Sequence, residues 1–392
     1  MVKTASLFSQ LLQEVPRNEF AKLVSKHEGE RDAKGFTCWA QFTAMLFCQL
    51  AHADSLREIC NGLACCLGKL THLGIDRGPS KSNLSYANMH RPAALFEDLF
   101  WTMTDRFCAQ GHLGSRNHKF RFKNKLLSLD STTISLCLSL FPWAEFRRAK
   151  GGVKAHVLLD HDDYMPSYVL ISKAKMHDAK VLALLRLNAG SIVAMDRAYN
   201  DYKHFARWSE AGVYFVTRMK DNAVYNVVEA HDVPLYRNIL CDEIILLTGA
   251  QAQKKCPHRL RRIVVWDADK EREIVLLTNH LDFGATTIAD IYKERWQIEH
   301  FFKALKQNLK VKSFVGTSEN ALRIQIWTAL LALLILKWLH HLSKAGWSLS
   351  NLASMLRLNL FTYRDLRDWL DDPYNTPPLE PLLPEQLELP LS

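Results

Sequence analysis

The segment YKERWQIEHFFKALKQNL, residues 292–309, decides the fold because it combines an apolar face with a line of polar side chains. At about 100° per residue, a helix through it has one broad apolar face. That face is made of Ile291, Ile298, Phe301, Phe302, Leu305 and Leu309. Within an arc of roughly 60° along one edge lie four polar residues. They are Tyr292, Arg295, Glu299 and Lys306. The segment therefore predicts a helix that packs on a core.

Helical geometry separates the two glutamates of this segment, Glu294 and Glu299. Glu299 lies on the polar edge, whereas Glu294 falls well away from it. Two interpretations of the edge remain open. Arg295 and Glu299 are four residues apart and would form an ordinary ion pair on a solvated flank. Alternatively, Glu299 binds a metal ion while Arg295 and Lys306 bind phosphate, as a guanidinium fork and an ammonium group can.

Two aspartates stand where apolar runs end. Asp130 follows the run at 126–129 and Asp196 follows the run at 192–195, so both are predicted at the ends of buried strands. A buried carboxylate is costly to desolvate and needs a partner, either a core Arg or Lys or a divalent cation. Because Mg²⁺ prefers carboxylate oxygens, Asp130, Asp196 and Glu299 together suit one or two ions.

Composition sets broad limits. The chain has 392 residues, of which 48% are hydrophobic, which permits a full core and excludes global disorder. A net charge of +9 permits a nucleic-acid partner without establishing one. Nine cysteines without a CxxC pair predict reduced thiols in a cytoplasmic protein. The N-terminus does not resemble a signal peptide. The apolar run 326–336 is shorter than the ~20 residues of a membrane helix, so we expect a buried core helix and no membrane segment.

Residues 1–115 are predicted to form a helical domain. Apolar residues recur there at three- and four-residue spacing, with Asp54 or Ser55, and Ser80 or Ser82, as candidate helix N-caps. Short helices separated by Gly and Ser turns suit a DNA-binding module such as a helix-turn-helix. They suit any other small helical bundle equally.

From residue 116 onward, strands dominate. A basic run, 116–125, leads into three predicted strands, KLLSLDSTTISL, KAHVLLD and SYVLIS. A short helix capped by Asp178, the strand before Asp196, the helix YKHFARWSEAG and the strand VYFVTRM follow. Four more strands are predicted between 222 and 283, namely NAVYNVV, EIILL, RRIVVWDA and REIVLLTN. Thr287 is the predicted cap of the next helix.

The spacing of Tyr292, Arg295, Glu299 and Lys306 resembles the YREK signature of bacterial insertion-sequence transposases of the IS-four family. Asp130 in LDSTTI and Asp196 in AMDRAYND resemble the two aspartates of that family's DDE triad. Ala198 departs from the pattern, because many relatives have Gly there. The resemblance covers roughly residues 120–340.

The resemblance implies an α/β fold in which an RNase H-like catalytic core, beginning with three antiparallel strands, is interrupted by a β-rich insertion and preceded by an α-helical N-terminal domain. The strand-rich stretch fits the insertion, because the gap between Asp196 and Glu299 is too long for an uninterrupted core. We expect five parts, the last comprising a C-terminal helix and a Pro-rich acidic tail. Their bounds are 1–115, 116–221, 222–285, 286–345 and 346–392.

The resemblance also implies a chemistry. Asp130, Asp196 and Glu299 would be the catalytic residues and hold two Mg²⁺ ions, with Mn²⁺ able to substitute. Tyr292, Arg295 and Lys306 would bind DNA phosphates. We expect a bacterial, cytoplasmic and nucleoid-associated enzyme that acts as a homodimer on double-stranded DNA. It would cut at its element's terminal inverted repeats, through a hairpin in many relatives, and join the ends to target DNA.

Several interpretations remain open beside this one. The chain would also suit a catalytically inactive, transposase-derived DNA-binding regulator, although such a protein would not need the full triad. A metal phosphatase with Asp130 as nucleophile is a third possibility, weakened because Ser-Thr-Thr follows where a second acid is expected. Trp266 would stack on a flipped DNA base or pack within a strand. The basic runs 116–125 and 254–262 are candidate DNA-contact surfaces or solvated charge.

Overall fold

The computed structural model describes residues 5–31, 33, 35–65, 70–111, 113, 119–147, 150–233, 237–311 and 313–379. It divides into two compact units. A helical unit comprises Met1–Leu113 and Ala304–Ser392, and a sheet unit comprises Gly114–Lys303. The finer division predicted at residues 115, 221, 285 and 345 stays a prediction.

The helices and strands follow one another in this order along the chain: α1 (Leu7–Gln13), α2 (Arg17–Lys26), α3 (Cys38–Ala51), α4 (Leu56–Ala64), α5 (Lys81–His90), α6 (Ala94–Gly111), β1 (Leu126–Leu136), β2 (Glu145–Arg147), β3 (Lys150–Asp160), β4 (Met165–Lys173), β5 (Ile192–Met195), α7 (Tyr202–Glu210), β6 (Tyr214–Arg218), β7 (Tyr225–Ala230), β8 (Ile239–Leu247), α8 (Ala250–Lys255), β9 (Leu260–Asp267), β10 (Arg272–Thr278), α9 (Ala285–Glu294), α10 (Trp296–Asn308), α11 (Glu319–Leu342), α12 (Leu349–Asn359) and α13 (Leu366–Asp371). Four short 3₁₀ turns, at Leu70–Leu73, Pro142–Ala144, Asp178–Leu184 and Arg197–Tyr199, complete the described elements.

One mixed sheet organises the described part of the sheet unit. Its strand order is β2-β3-β1-β5-β6-β10-β9-β8-β7, and β4 pairs with β3. Strands β1, β3 and β4 are antiparallel neighbours, as predicted, whereas β1, β5 and β6 run parallel. The four strands predicted between 222 and 283 form β7 to β10. They continue the same sheet, because β10 pairs antiparallel with β6.

The two faces of this sheet bury two different cores because successive side chains of a strand point to opposite faces. Leu127 and Leu129 of β1 join the core that includes Phe205 and Trp208 of α7. Leu126 of β1, with Ile192 and Ala194 of β5, joins the core completed by Ile288, Ile291 and Tyr292 of α9. Asp130 follows Leu126 at an even spacing along β1, so its side chain belongs to the face that α9 covers.

Three local predictions are corrected. Asp130 lies within β1 and does not end it, because β1 continues to Leu136 in pairing with β3. Asp178 does not cap its helix, which is a 3₁₀ turn capped by His177. Asp178 instead accepts hydrogen bonds from Lys154 at 2.9 Å and Ser131 at 3.2 Å. Thr287 is not a cap either, since α9 begins after Gly284.

The predicted single helix over 292–309 is divided at Arg295. Helix α9 ends at Glu294 and α10 begins at Trp296. The Arg295 N–H donates to the Tyr292 carbonyl at 3.2 Å, and the Ile298 N–H donates to the Arg295 carbonyl at 3.2 Å. Both bonds span three residues, so one tight 3₁₀ step separates two α-helices.

In the helical unit, Ser55 and Ser80 are the N-caps of α4 and α5, as two of the predicted alternatives had it. Helix α11 extends beyond the apolar run 326–336 at both ends. By length and composition it could cross a membrane, but 89% of its most apolar window is buried in the fold. That burial is expected of a core helix.

All eight described cysteines are free thiols. The tail beyond residue 379, predicted as an arm or disordered end, lies outside the described residues.

Candidate active site

Asp130 and Asp196 come from neighbouring parallel strands. Asp130 lies opposite Val157 of β3, and Asp196 is the first residue after β5. Leu129 and Met195, which precede them, are partners in the register of β1 and β5. Because paired strands lie about 4.8 Å apart, the two aspartates occupy adjacent positions on the sheet.

Arg295 links Asp130 to Glu299. Its Nη1 donates to Oδ2 of Asp130 at 3.2 Å, and its Nη2 donates to Oε1 of Glu299 at 3.1 Å. The Arg295 side chain is 7% exposed, against 21% for Asp130 and 37% for Glu299. The i,i+4 ion pair that the sequence allowed is therefore present. The same guanidinium also binds an acid on a different element.

Tyr292 lies beside this guanidinium. It is buried, and its ring centroid lies 5.7 Å from Cζ of Arg295. Burial raises the pKa of the Tyr292 hydroxyl, so at neutral pH the group is protonated and able to donate a hydrogen bond. Burial alone would lower the pKa of Arg295, but Tyr292, Asp130, Glu299 and Asp196 together raise it. The Nε of Arg295 is buried without a hydrogen-bond partner.

Asp130 is the acid whose protonation the fold perturbs strongly. Burial, assisted by the charges of Asp196 and Glu299, raises the pKa of Asp130 to about 6. The Ser131 N–H, which donates to Oδ1 of Asp130 at 2.7 Å, and Arg295 both oppose that rise. The site therefore holds more negative charge than Arg295 neutralises.

This excess charge predicts a pH-dependent effect of Asp130→Asn. The stabilising contribution of an acid whose pKa is raised from 3.8 to about 6 is complete below pH 4 and is lost as the pH rises through 6. Asp130→Asn is therefore expected to raise the free energy of unfolding of the metal-free protein by about 1–3 kcal/mol at pH 8 and to change it little near pH 4.

Urea unfolding in EDTA at pH 4 and pH 8 measures this difference in the free energy of unfolding. Asp221→Asn, at an exposed acid paired with Arg197, is the control and should show no such pH dependence. An equal effect of Asp130→Asn at both pH values would contradict the prediction.

Glu294 lies apart from this cluster. Glu294 does not join the polar edge, since its Oε1 accepts from Nζ of Lys119 at 2.6 Å. Lys306 lies in the last turn of α10, in the part of that helix that belongs to the helical unit. The role of Lys306 therefore rests on the resemblance.

The three acids also bear on metal binding. Within the described ranges, no three His, Cys, Asp or Glu side chains lie close enough together to hold one ion. The donor chemistry nevertheless fits a divalent cation, because the three carboxylates include Asp130, whose pKa is raised by burial and by the charges of the other two. Arg295 supplies the positive charge between Asp130 and Glu299. Binding of a cation by both acids would therefore require them to release the guanidinium.

A cleft of about 710 Å³ opens beside Tyr292, and the sequence interpretation found only one of its two tryptophans. Trp266 and Trp296 line it and are 39% and 44% exposed, with Nζ of Lys270 lying 4.7 Å from the Trp296 ring centroid. Trp296 was missed. On a helical wheel it falls beyond the polar edge, away from the apolar face, and that unusual position for a large aromatic was the available signal.

Comparison with known proteins identifies the family to which the chain belongs. Residues 121–335, more than half of the chain, match the family described as "Transposase DDE domain", and residues 3–76 match a domain of unknown function, DUF4372. A protein of Sinorhizobium fredii named as the transposase y4zB is 30% identical over 74% of this chain and 79% of its own length. A protein of Geobacillus stearothermophilus named as a transposase for insertion sequence element IS5377 is 33% identical over 57% of this chain and 59% of its own length. A Synechocystis protein named for element IS4SA is 26% identical over 68% and 73%, respectively.

These matches decide between the enzyme classes left open above. The catalytic core is RNase H-like, as predicted, and the phosphatase interpretation is excluded. The chain belongs to the DDE-domain transposases of insertion sequences, which are metal-dependent enzymes that cleave DNA.

Proposed function

We propose that this transposase binds the terminal inverted repeats of its own insertion sequence and catalyses Mg²⁺-dependent strand cleavage and strand transfer with Asp130, Asp196 and Glu299. The observation that carries the proposal is the bridge from Arg295 to Asp130 and Glu299 beside Asp196. Asp130 and Glu299 meet there at one buried guanidinium, and the charge of Asp196 acts on the same group.

In the proposed mechanism, Asp130, Asp196 and Glu299 hold the divalent ions. When bound, such ions lower the pKa of the attacking water or 3′-hydroxyl and neutralise charge on the phosphoryl group. Arg295 is released from the acids and turns its fork towards a DNA phosphate. Tyr292, whose hydroxyl is protonated at neutral pH, donates a hydrogen bond to the same backbone. Lys306 binds a phosphate farther along the strand.

The aromatic cleft would hold a base displaced from the duplex near the cleaved end. Trp266 and Trp296 offer exposed faces for stacking, and Lys270 adds a positive charge beside them. This use of Trp266 was one of the two interpretations of its sequence position. Extrusion of a base would suit a hairpin route of cleavage, so the proposal includes that route. It also includes a homodimer that pairs two DNA ends, located at the nucleoid in the bacterial cytoplasm. Mn²⁺ would substitute for Mg²⁺.

The test uses labelled duplexes from the DNA that flanks the gene's own genomic copy. Purified protein should nick them in Mg²⁺ or Mn²⁺ and not in EDTA, and Asp196→Asn should bind the duplexes without nicking them. Hairpin ends would be visible as products of doubled length on denaturing gels. Binding without nicking by the wild-type chain in any metal would favour the regulator interpretation. Nicking by Asp196→Asn at the wild-type rate would contradict the assigned site.

A further inference from the structure

We propose that α5 is the helix through which the helical unit reads DNA sequence in the major groove, with Ser82, Tyr86 and Met89 meeting base edges and Lys81 and Arg77 meeting phosphates. The inference rests on the proposed function, which supplies DNA as the ligand. It adds the element and the side chains that recognise the sequence.

One face of α5 is fixed rigidly in the helical unit. Leu84, Ala87 and Asn88 are its buried residues. Oδ1 of Asn88 accepts from Nε2 of Gln41 at 2.8 Å, which ties α5 to α3. Nδ2 of Asn320, in α11, donates to the carbonyls of Asn88 at 2.9 Å and Arg91 at 2.7 Å. The end of α5 is therefore held by side chains of two other helices.

The opposite face of α5 is open. Its side chains at Lys81, Ser82, Asn83, Tyr86, Met89 and His90 are exposed. Tyr86 is 67% and Met89 51% exposed, which is high for large hydrophobic residues. At about 100° per residue, Ser82, Tyr86 and Met89 lie within roughly 60° of one another, on the side away from Leu84. A rigid helix thus presents a narrow row of side chains to solvent.

The chemistry of this row suits DNA better than a protein surface. None of the residues of α5 is acidic. Arg77 and Lys81 are exposed, and neither has an ion pair among the described residues. Serine hydroxyls pair with several base edges, and apolar groups such as the Met89 side chain contact the thymine methyl group. The small Ser82 near the start of the helix permits close approach to a groove floor, as in recognition helices whose first turns contact bases.

The exposed ring of Tyr86 is also held in place. Its centroid lies 4.1 Å from the ring of His90, with the two planes 27° apart, and Nδ1 of His90 lies 2.9 Å from the carbonyl oxygen of Tyr86. A preordered side chain loses little conformational entropy on binding. In the cleft beside this flank, Glu28 is paired with Arg31 at 3.0 Å. The charge of this acid, which lines the cleft, is therefore paired.

The experiment selects DNA with the full-length protein. A duplex library with a randomised 20-base-pair centre is incubated with wild-type or variant protein in EDTA, and bound DNA is sequenced. The wild type should enrich one motif. Ser82→Ala/Tyr86→Ala should lower the preference for that motif over random DNA at least about tenfold, at adjacent base pairs. Lys81→Ala should weaken all sequences alike and reduce the slope of log affinity against log salt by about one.

Two further variants separate recognition from folding. Ser350→Ala/Leu358→Ala changes an exposed serine and a large exposed hydrophobic residue on α12, and it should enrich the wild-type motif. Ser82→Asn should shift the preference towards adenine at one position, since Asn pairs with adenine in the major groove. A changed motif cannot result from unfolding, so Ser82→Asn tests the proposal even if the double variant is unstable.

The outcomes distinguish this proposal from the catalytic one. The proposal for α5 would be overturned if both Ser82→Ala/Tyr86→Ala and Ser82→Asn enriched the wild-type motif. It would also be overturned if wild-type protein enriched no motif. Metal-dependent nicking of the duplexes that flank the gene's own genomic copy is measured in parallel with wild-type protein. Failure of the wild type to nick these duplexes in Mg²⁺ or Mn²⁺ overturns the proposed function, whatever the selection shows.

Discussion

Glu299→Gln is expected to lower the rate of DNA cleavage at least about 10³-fold, whereas Glu294→Gln should lower it less than about threefold. The size of the first effect is that of removing one member of a catalytic constellation. Glu299 shares Arg295 with Asp130, whereas Glu294 is paired with Lys119 at 2.6 Å. The two substitutions remove the same charge from neighbouring helices, which makes Glu294→Gln a matched control.

The measurement is single-turnover cleavage of labelled duplex in Mg²⁺, with DNA binding followed separately by anisotropy. Glu299→Gln should bind DNA as well as the wild type or better, because a negative charge has been removed near phosphate. Comparable losses of cleavage in both variants would remove the distinction between the glutamates. Loss of binding in Glu299→Gln would instead indicate a structural role for its ion pair.

The strands of the core could be predicted because each is an apolar run bounded by turn residues. That Asp130 and Asp196 lie side by side could not be derived from those runs. Their proximity to each other depends on the parallel register of β1 and β5, which joins residues more than sixty positions apart. Periodicity likewise could not detect the step at Arg295, because two 3₁₀ bonds shift the helical phase by too little to alter the apolar pattern.

The sequence also does not show which charged side chains are exposed and which are paired, as the basic run 254–262 illustrates. Lys254, Lys255 and Arg259 are exposed, which suits the predicted contact with DNA. Arg261 is buried, and Arg262 is paired with Glu243 at 2.9 Å. In the run 116–125, Lys119 and Lys125 are likewise paired, with Glu294 and Asp160. Counting cations therefore overstates the surface available to DNA, because acids distant in sequence bind several of them.

Asp242→Ala should be among the most destabilising substitutions in the sheet unit, at about 3–5 kcal/mol. Nε and Nη2 of Arg261 each donate to an oxygen of Asp242 at 2.7 Å, and both side chains are at most 5% exposed. Removing Asp242 leaves a buried guanidinium without its carboxylate, which costs more than the pair contributes.

The same guanidinium holds the backbone that leads into α9. Nη1 of Arg261 donates to the carbonyls of Leu281, at 3.0 Å, and Phe283. Helix α9 begins at Ala285 and carries Tyr292 at its far end. Disorder of this segment in Asp242→Ala should therefore also slow cleavage at temperatures where the variant is still folded.

Urea unfolding followed by circular dichroism compares Asp242→Ala with Glu243→Ala. Glu243 is the matched control, because its pair with Arg262 is about one-fifth exposed and should contribute only about 1 kcal/mol. Asp242→Leu/Arg261→Met should recover part of the loss, because no buried charge is left unpaired, while the carbonyls of Leu281 and Phe283 lose their donor. If Asp242→Ala costs no more than Glu243→Ala, the pair does not anchor the approach to α9. In that case Arg261 would be held by the two carbonyls alone, and the position of Tyr292 would depend on the packing of Ile288 and Ile291 against the sheet.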